Sequence, residues 1–495
     1  MNNIFSNRSI NITLISVLFF IYLGSIVVSV LGLENNGFLH KSKFDLIEIF
    51  SAAIFLLSII IGLKDIRLYI VLMVFNILAL PSCVDNFVPS VLITAYTDSK
   101  QVYFPLITHI DIYLVLGVIK YWDKKNGISL DFKFVLHKLF FWLLLFLFIS
   151  IIGNIFKNNN IYDISLILSH SYHLRYLLLL TLLFSNTSII KHSKQVFIGG
   201  VVALSFLILE SLLYSYVFHS FARLTSGSLG YNVFANILAS FCCYYLFLIL
   251  RKHISLRYLL LVLIIISAIV LTQTRSALIL ILVYFVFEIT SYVFVLYKSK
   301  PKLSYLFFML PSLLFISFFW FTQSQRLSLN NFKIEKINIS GENLNKIFVL
   351  EQNDFNASLI LRLNHFQTSL NMIQHNPIIG IGPGRWNRYK KQYGSTEINL
   401  MDSHNDILAT TSQYGLLTGL FLCFVIYFLP LFIFVKVKKD SIILNNKMKY
   451  LFLISFVMTF AGLTNTGLFK HQIFGFLSLI LVLAIFNTNH SNFNK

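Results

Sequence analysis

Charge is scarce in this chain of 495 residues. Asp, Glu, Lys and Arg together make up 12%, against 57% hydrophobic residues and a mean hydropathy of +0.76. So little charge excludes a soluble globular protein of this length. Cysteine is nearly absent. The four present, Cys83, Cys242, Cys243 and Cys423, lie in or beside apolar runs without metal-ligand spacing, so neither a disulfide framework nor a zinc centre is indicated. Strict alternation of polar and apolar residues is also missing, which excludes an outer-membrane barrel. No internal repeat of solenoid length and no low-complexity linker occurs, so nothing marks a second soluble domain. The first apolar run is too long for a signal-peptide core and no small-residue cleavage site follows it, so it reads as a span.

What the chain does hold is a series of apolar runs near the ~20 residues that a bilayer requires. They fall at 11–32, 46–63, 66–82, 103–121, 137–156, 165–187, 196–218, 231–250, 257–273, 276–297, 303–321, 407–435, 449–467 and 472–488. The expectation is an all-α polytopic membrane protein with about 12–14 transmembrane helices, in which the lipid bilayer is the first partner. Basic residues cluster in alternate loops: Lys120 with Lys124 and Lys125, Arg251 with Lys252 and Arg257, Lys298 with Lys300 and Lys302, and Lys436 with Lys438 and Lys439. The positive-inside rule then puts both termini in the cytoplasm and the long polar stretch 322–406 on the outer face. Much of the net charge of +19 is thereby topology, with no nucleic-acid partner implied. Four regions follow: N-terminal spans in 1–200, central spans in 201–321, the large loop 322–406, and C-terminal spans in 407–495.

The loop begins irregularly, and the sequence predicts a helix from Ser358. Leu359, Leu363, Phe366, Leu370 and Ile373 recur at spacings of four and three, a stripe suited to the top of the bundle or the lipid interface. Asn376-Pro377 ends it, and Gly380, Gly382 and Gly384 punctuate the turn that follows. Asp402 and Ser403 are good N-cap residues before an apolar run, which predicts His404 in the first turn of a helix continuing as the span 407–435. The positive end of the helix dipole there favours a neutral imidazole, available as a base. A capping or hydrogen-bonding role is the competing reading. Asp402, His404 and Asp406 alternate, but no second histidine cluster with ligand spacing lies near them, so no metal is assigned.

Outward arginines are the remaining signal. Arg223 and Arg275 stand at span ends, and Arg362, Arg385 and Arg388 lie in the loop. Snorkelling or lipid-phosphate contact would account for any one of them. Together they suit a phosphate-bearing ligand, because guanidinium groups match phosphate oxygens bidentately. His170 and His173 read as a hydrogen-bonded feature of the bundle, and Glu210 and Glu288, inside predicted spans, need partners there.

His404-Asn405, followed after nine residues by Gly415 and then by Thr418, resembles the histidine signature of the bacterial O-antigen ligases and related O-antigen polymerases. The segment His375 to Gly384 resembles that family's proline- and glycine-bearing turn. Arg275 resembles its short arginine turn, and Arg223 with Asn232 and Asn236 its earlier arginine loop. The resemblance spans about residues 200–435. It implies a GT-C-like membrane glycosyltransferase in the bacterial inner membrane, inverting, without metal or cofactor, and with its active site facing the periplasm. The donor it implies is an undecaprenyl-diphosphate-linked glycan, and the acceptor another glycan or lipid A-core. In that reading His404 is the catalytic base and Arg223 and Arg275 bind the diphosphate, with Arg362, Arg385 and Asn405 as further substrate-binding residues. The reading from a different class is a lipid-linked glycan flippase or other polysaccharide transporter, against which the absence of an inverted repeat counts.

Overall fold

The computed structural model describes residues 46–80, 90–94, 101–105, 107–121, 138–158, 161–184, 194–217, 230–251, 256–272, 274, 277–282, 284, 354–395, 403–430, 462 and 467–493. Among these the chain is helical apart from one hairpin. The N-terminal part contains α1 (Leu46–Gly62) and α2 (Ile66–Leu78), joined by a turn in which the Asp65 carboxylate caps α2 by accepting from the Arg67 N–H. The hairpin pairs β1 (Ser90–Thr94) antiparallel with β2 (Gln101–Pro105). Then come α3 (His109–Tyr121), α4 (Lys138–Lys157), α5 (Ile161–Ser169), α6 (Tyr172–Phe184), α7 (Lys194–Val217), α8 (Gly230–Arg251) and α9 (Leu256–Thr272). The large loop contributes α10 (Asp354–His375), the short α11 (Trp386–Tyr389) and a 3-10 turn (Lys390–Tyr393). α12 (Asp406–Tyr414), α13 (Leu416–Cys423), a π-helical turn (Phe424–Phe428) and α14 (His471–Phe493) complete the described elements.

Two stretches, Leu139–Lys157 and Leu166–Phe184, are long and apolar enough to cross a membrane, and shorter apolar helices accompany them. Their surfaces agree with a hydrocarbon surrounding. On α4 the buried side carries Phe140, Leu143, Leu147, Ser150 and Asn154, whereas Phe141, Trp142, Phe148 and Ile149 are exposed and Phe156 is 82% exposed. Polar groups inside and large apolar groups outside invert the usual soluble pattern, as expected where the outer medium cannot hydrogen-bond. α2 packs on α7, α3 and α14, α6 packs on α3 and α14, and α8 packs on α9 around one apolar core.

Three of the expected spans are divided differently. Residues 103–121 begin in β2, and the helix starts only at His109. The polar residues there are satisfied locally: His109 Nε2 lies 3.0 Å from the Asn76 carbonyl, and Asp111 receives the Thr108 N–H at 2.9 Å and a bidentate pair from Arg175 at 2.8 and 3.0 Å. The stretch 165–187 turns at His170-Ser171, between α5 and α6. The span 407–435 is broken at Gly415. The expected runs 11–32, 303–321 and 449–467 lie outside the described residues or almost wholly so, as does most of 276–297. Glu210 and Glu288 lie outside as well, as far as their side chains are concerned.

Candidate functional site

α10 extends one turn further upstream than its apolar stripe suggested and stops where Asn376-Pro377 removes the next helical donor. The face it buries is the polar one, His365, Thr368 and Ser369 with Met372. Two residues of the apolar stripe point outward, Leu363 being 47% and Leu370 44% exposed. Phe366 and Ile373 of the same stripe are half-buried.

The turn after α10 has Gly380, Gly382 and Gly384 all at positive φ, at 70°, 98° and 78°. Its backbone runs beside the end of α12 and satisfies carbonyls that a helix terminus leaves without partners. The Ile381 N–H donates to the Ser412 carbonyl and the Gly382 N–H to that of Gln413, both at 3.0 Å, and the Gly384 N–H donates to Gln413 Oε1 at 2.7 Å. Gly415, at φ 89° and ψ 160°, separates α12 from α13, and the Leu416 N–H returns to the Pro377 carbonyl at 2.7 Å. A Cβ on Gly415 would lie 2.0 Å from the Ile378 carbonyl oxygen, so the two segments meet backbone to backbone.

Residues far upstream hold this assembly. Ser150 Oγ and Asn154 Nδ2 donate to the Ile379 carbonyl at 3.1 and 2.6 Å, and Ser150 Oγ also lies 3.0 Å from the Tyr414 carbonyl. The Lys157 ammonium donates to Asn376 Oδ1 at 2.7 Å. His173 Nε2 lies 2.9 Å from the Leu468 carbonyl, and its Nδ1 lies 2.7 Å from the Tyr414 hydroxyl and 3.0 Å from the His170 carbonyl. His170 and His173 are thus hydrogen-bonded bundle residues, as their spacing suggested. Asp163 of α5, buried, pairs with two loop arginines, Arg385 Nη2 and Arg388 Nε, each at 3.1 Å.

His404 lies just ahead of α12 and does not occupy its first turn. The N-cap is Asn405, extended at φ −154° and ψ 122°, whose side-chain oxygen accepts from the Leu408 N–H at 3.1 Å. Asp402, expected to cap, is outside the described residues, and Ser403 Oγ donates to the Asn405 carbonyl at 2.9 Å. The register is decided by Asp406, the first helical residue. Fully buried, its Oδ1 accepts from the N–H groups of Gly467 and Leu468 at 2.8 and 2.9 Å, and its Oδ2 accepts from the Tyr427 hydroxyl. Such a socket fixes Asp406 in the helix and makes its predecessor the cap. His404 is left with φ 50°, the one positive φ at a non-glycine residue among the described residues. Its ring lies nearly parallel to that of His365, with centroids 5.7 Å apart and planes 9° from parallel. His365 meets the Trp386 ring edge to face at 5.3 Å, and the Trp386 indole N–H donates to Ser369 Oγ at 3.0 Å.

With that geometry, residues 259–423 match the sequence model of a family described as O-antigen ligase. That stretch is similar to the O-antigen ligase family. No curated protein matches the chain significantly. The ligase match covers about a third of the chain and supports a membrane protein that ligates or polymerises glycans. It includes Arg275, Arg362, Arg385, His404 and Asn405; Arg223 lies upstream of it.

Within the matched stretch, α10 and α12 bring His404 and Asn405 together with His365 and Trp386. Arg362, part-buried, is on α10 three residues before His365. Arg385 is 5% exposed, and its guanidinium is already committed to Asp163, to the Ile381 carbonyl at 2.7 Å and to the Tyr389 hydroxyl. That arrangement fits an anchor of the glycine turn. Arg223 and Arg275 lie outside the described residues. His365, Trp386 and Asp163 were not singled out from the sequence, and Asp406 was weighed there only as a metal ligand alternating with Asp402 and His404. Asp163 and Asp406 carry the one usable sign, an acidic residue next to an apolar run.

Proposed function

We propose that this chain is a membrane glycosyltransferase that moves a glycan from undecaprenyl diphosphate to a sugar hydroxyl of an acceptor on the periplasmic face of the bacterial inner membrane. The acceptor is lipid A-core in ligation, or a second lipid-linked glycan in polymerisation. His404 takes the proton of the acceptor hydroxyl as its oxygen attacks the anomeric carbon from the face opposite the leaving group. The carbon–oxygen bond to the diphosphate breaks, configuration inverts, and undecaprenyl diphosphate departs with the bonding pair. Arg223 and Arg275 bind the diphosphate and stabilise the charge that grows on it. Arg362, on the same helix as His365, would meet a further phosphate or acceptor group.

The observation that carries this reading is the setting of His404. It is the single residue of its segment held in a left-handed backbone conformation, between a bonded N-cap and a stacked ring. Unusual backbone geometry at a histidine is found where a side chain must be aimed. The Asp406 oxygens accept from Tyr427, Gly467 and Leu468, a set of contacts that supports a structural role for it.

The test is transfer of a labelled glycan from polyprenyl diphosphate to acceptor by the purified full chain, with EDTA present. Wild-type transfer that survives EDTA, with loss of more than ~100-fold in each of His404→Ala and Arg275→Ala, supports the mechanism. Normal transfer by His404→Ala overturns it. Movement of the lipid-linked glycan across vesicles without any transfer would favour a flippase.

A further inference from the structure

We propose that the protein binds an ordered water molecule between α4 and the glycine turn, hydrogen-bonded to Asn154 Oδ1 and to Arg385 Nε beside Gly382.

Two buried polar atoms carry the inference. Asn154 is 0% and Arg385 5% exposed, and among the described residues neither Asn154 Oδ1 nor Arg385 Nε has a hydrogen-bond partner. The other nitrogens of both side chains are engaged. Asn154 Nδ2 donates to the Ser150 and Ile379 carbonyls at 2.9 and 2.6 Å. Arg385 Nη1 donates to the Ile381 carbonyl, and Nη2 donates to Asp163 and to the Tyr389 hydroxyl. Reversing the Asn154 amide would set its oxygen against two carbonyls, so the acceptor stays where it is.

Gly382 brings the two atoms to one place. A Cβ there would lie 3.2 Å from Asn154 Oδ1, 3.0 Å from Arg385 Cδ (the carbon that bears Nε) and 3.3 Å from Ile167 Cγ1 of α5. The glycine, at φ 98°, puts a hydrogen where a side chain would crowd all three. Leaving a buried amide oxygen and a buried guanidinium N–H unpaired costs more than ordering one small molecule that pairs both. The occupant must accept from one atom and donate to the other. Water does both. A cation would face the guanidinium, an anion would meet the lone pairs of Oδ1, and an apolar group would leave both atoms unpaired. Asn154 then serves the glycine turn twice, directly through Nδ2 at Ile379 and through water at Arg385. The inference is independent of the glycan-transfer reading.

The test is X-ray radiolytic hydroxyl labelling of the full chain in nanodiscs, read residue by residue by mass spectrometry. It is paired with a cryo-electron microscopy map sharp enough to show ordered water. Radicals formed on a bound water oxidise the nearest aliphatic side chain. Ile167, 0% exposed, should therefore label several-fold above Ile70, which is equally buried. Asn154→Leu removes the acceptor and should bring Ile167 down to the level of Ile70. In the map a peak should stand roughly 2.7–3.2 Å from both atoms. Labelling of Ile167 no higher than that of Ile70 overturns the proposal, as does undiminished labelling in folded Asn154→Leu. So does a map that shows other buried waters but none touching both atoms, or a direct bond between Oδ1 and Nε. The map needs only the wild-type chain, so it decides the matter even where Asn154→Leu fails to fold.

Discussion

Asp406 and Tyr427 are locked together inside the protein, the carboxylate that opens α12 accepting the hydroxyl of a tyrosine carried by the π-helical turn. A π turn rotates the following side chains relative to an α-helix, and here it delivers Tyr427 to a partner 21 positions away. With Gly467 and Leu468 on the other oxygen, one carboxylate joins three segments.

Asp406→Ala is expected to strip three buried donors of their acceptor, at about 1–3 kcal/mol for each group left unsatisfied. Asp406→Asn keeps an acceptor for the two backbone N–H groups and lets Tyr427 turn its oxygen to the amide, so its cost should stay below half that of Ala. Chemical denaturation in detergent checks the order. Equal stability of Ala and wild type would refute the socket.

Gly415→Ala should abolish the folded state or cost well over 3 kcal/mol, because its Cβ falls 2.0 Å from the Ile378 carbonyl oxygen at a φ of 89°. Gly394 is the control. Its φ is 92°, but the nearest atom to an added Cβ is 3.7 Å away, so Gly394→Ala should lose only the ~1–2 kcal/mol of the left-handed backbone. Expression and melting of the two variants side by side separate crowding from backbone strain.

His404→Gly and His404→Ala should both be inactive but differ in stability. Each loses the ring contact with His365, whereas only alanine still pays for φ 50°. The glycine variant should therefore be the more stable by roughly 1 kcal/mol, read from paired denaturation curves. A more stable alanine variant would contradict the left-handed geometry.

Asp163→Ala leaves the buried Arg385 guanidinium without its carboxylate, and loss of one partner from a buried pair costs about 3–5 kcal/mol. Limited proteolysis should then cut the glycine turn near Arg385 faster than in wild type. Arg388→Ala, whose side chain is 28% exposed, should change little, about 1 kcal/mol at most.

The pieces of this site that were legible in the sequence are those whose chemistry is local. The end of α10 at Asn376-Pro377 and the glycine turn both follow from backbone preferences of the residues themselves. The start of α12 was misplaced because Asp402, Ser403 and Asn405 are all competent caps, and the choice falls to a socket built by residues 427, 467 and 468. The break at Gly415 was hidden in apolar content, which records partition into lipid and not helix continuity. Periodicity found the stripe on α10 but could not say which face is inward where the surroundings are themselves apolar. Ser150 and Asn154 stand in the sequence as isolated polar residues in a long apolar run. Their partners are backbone carbonyls more than two hundred positions on, which no local pattern reveals.

The two donors that α4 sends to the Ile379 carbonyl bear on how such proteins can be recombined. They sit upstream of the stretch that the ligase family recognises, yet they grip the turn that braces α12. A chimera joined just before residue 259 would import a turn cut to fit a different α4. Exchange between relatives should keep residues 138–184 and 376–415 from one parent, so the smallest portable unit of this protein is discontinuous in the gene.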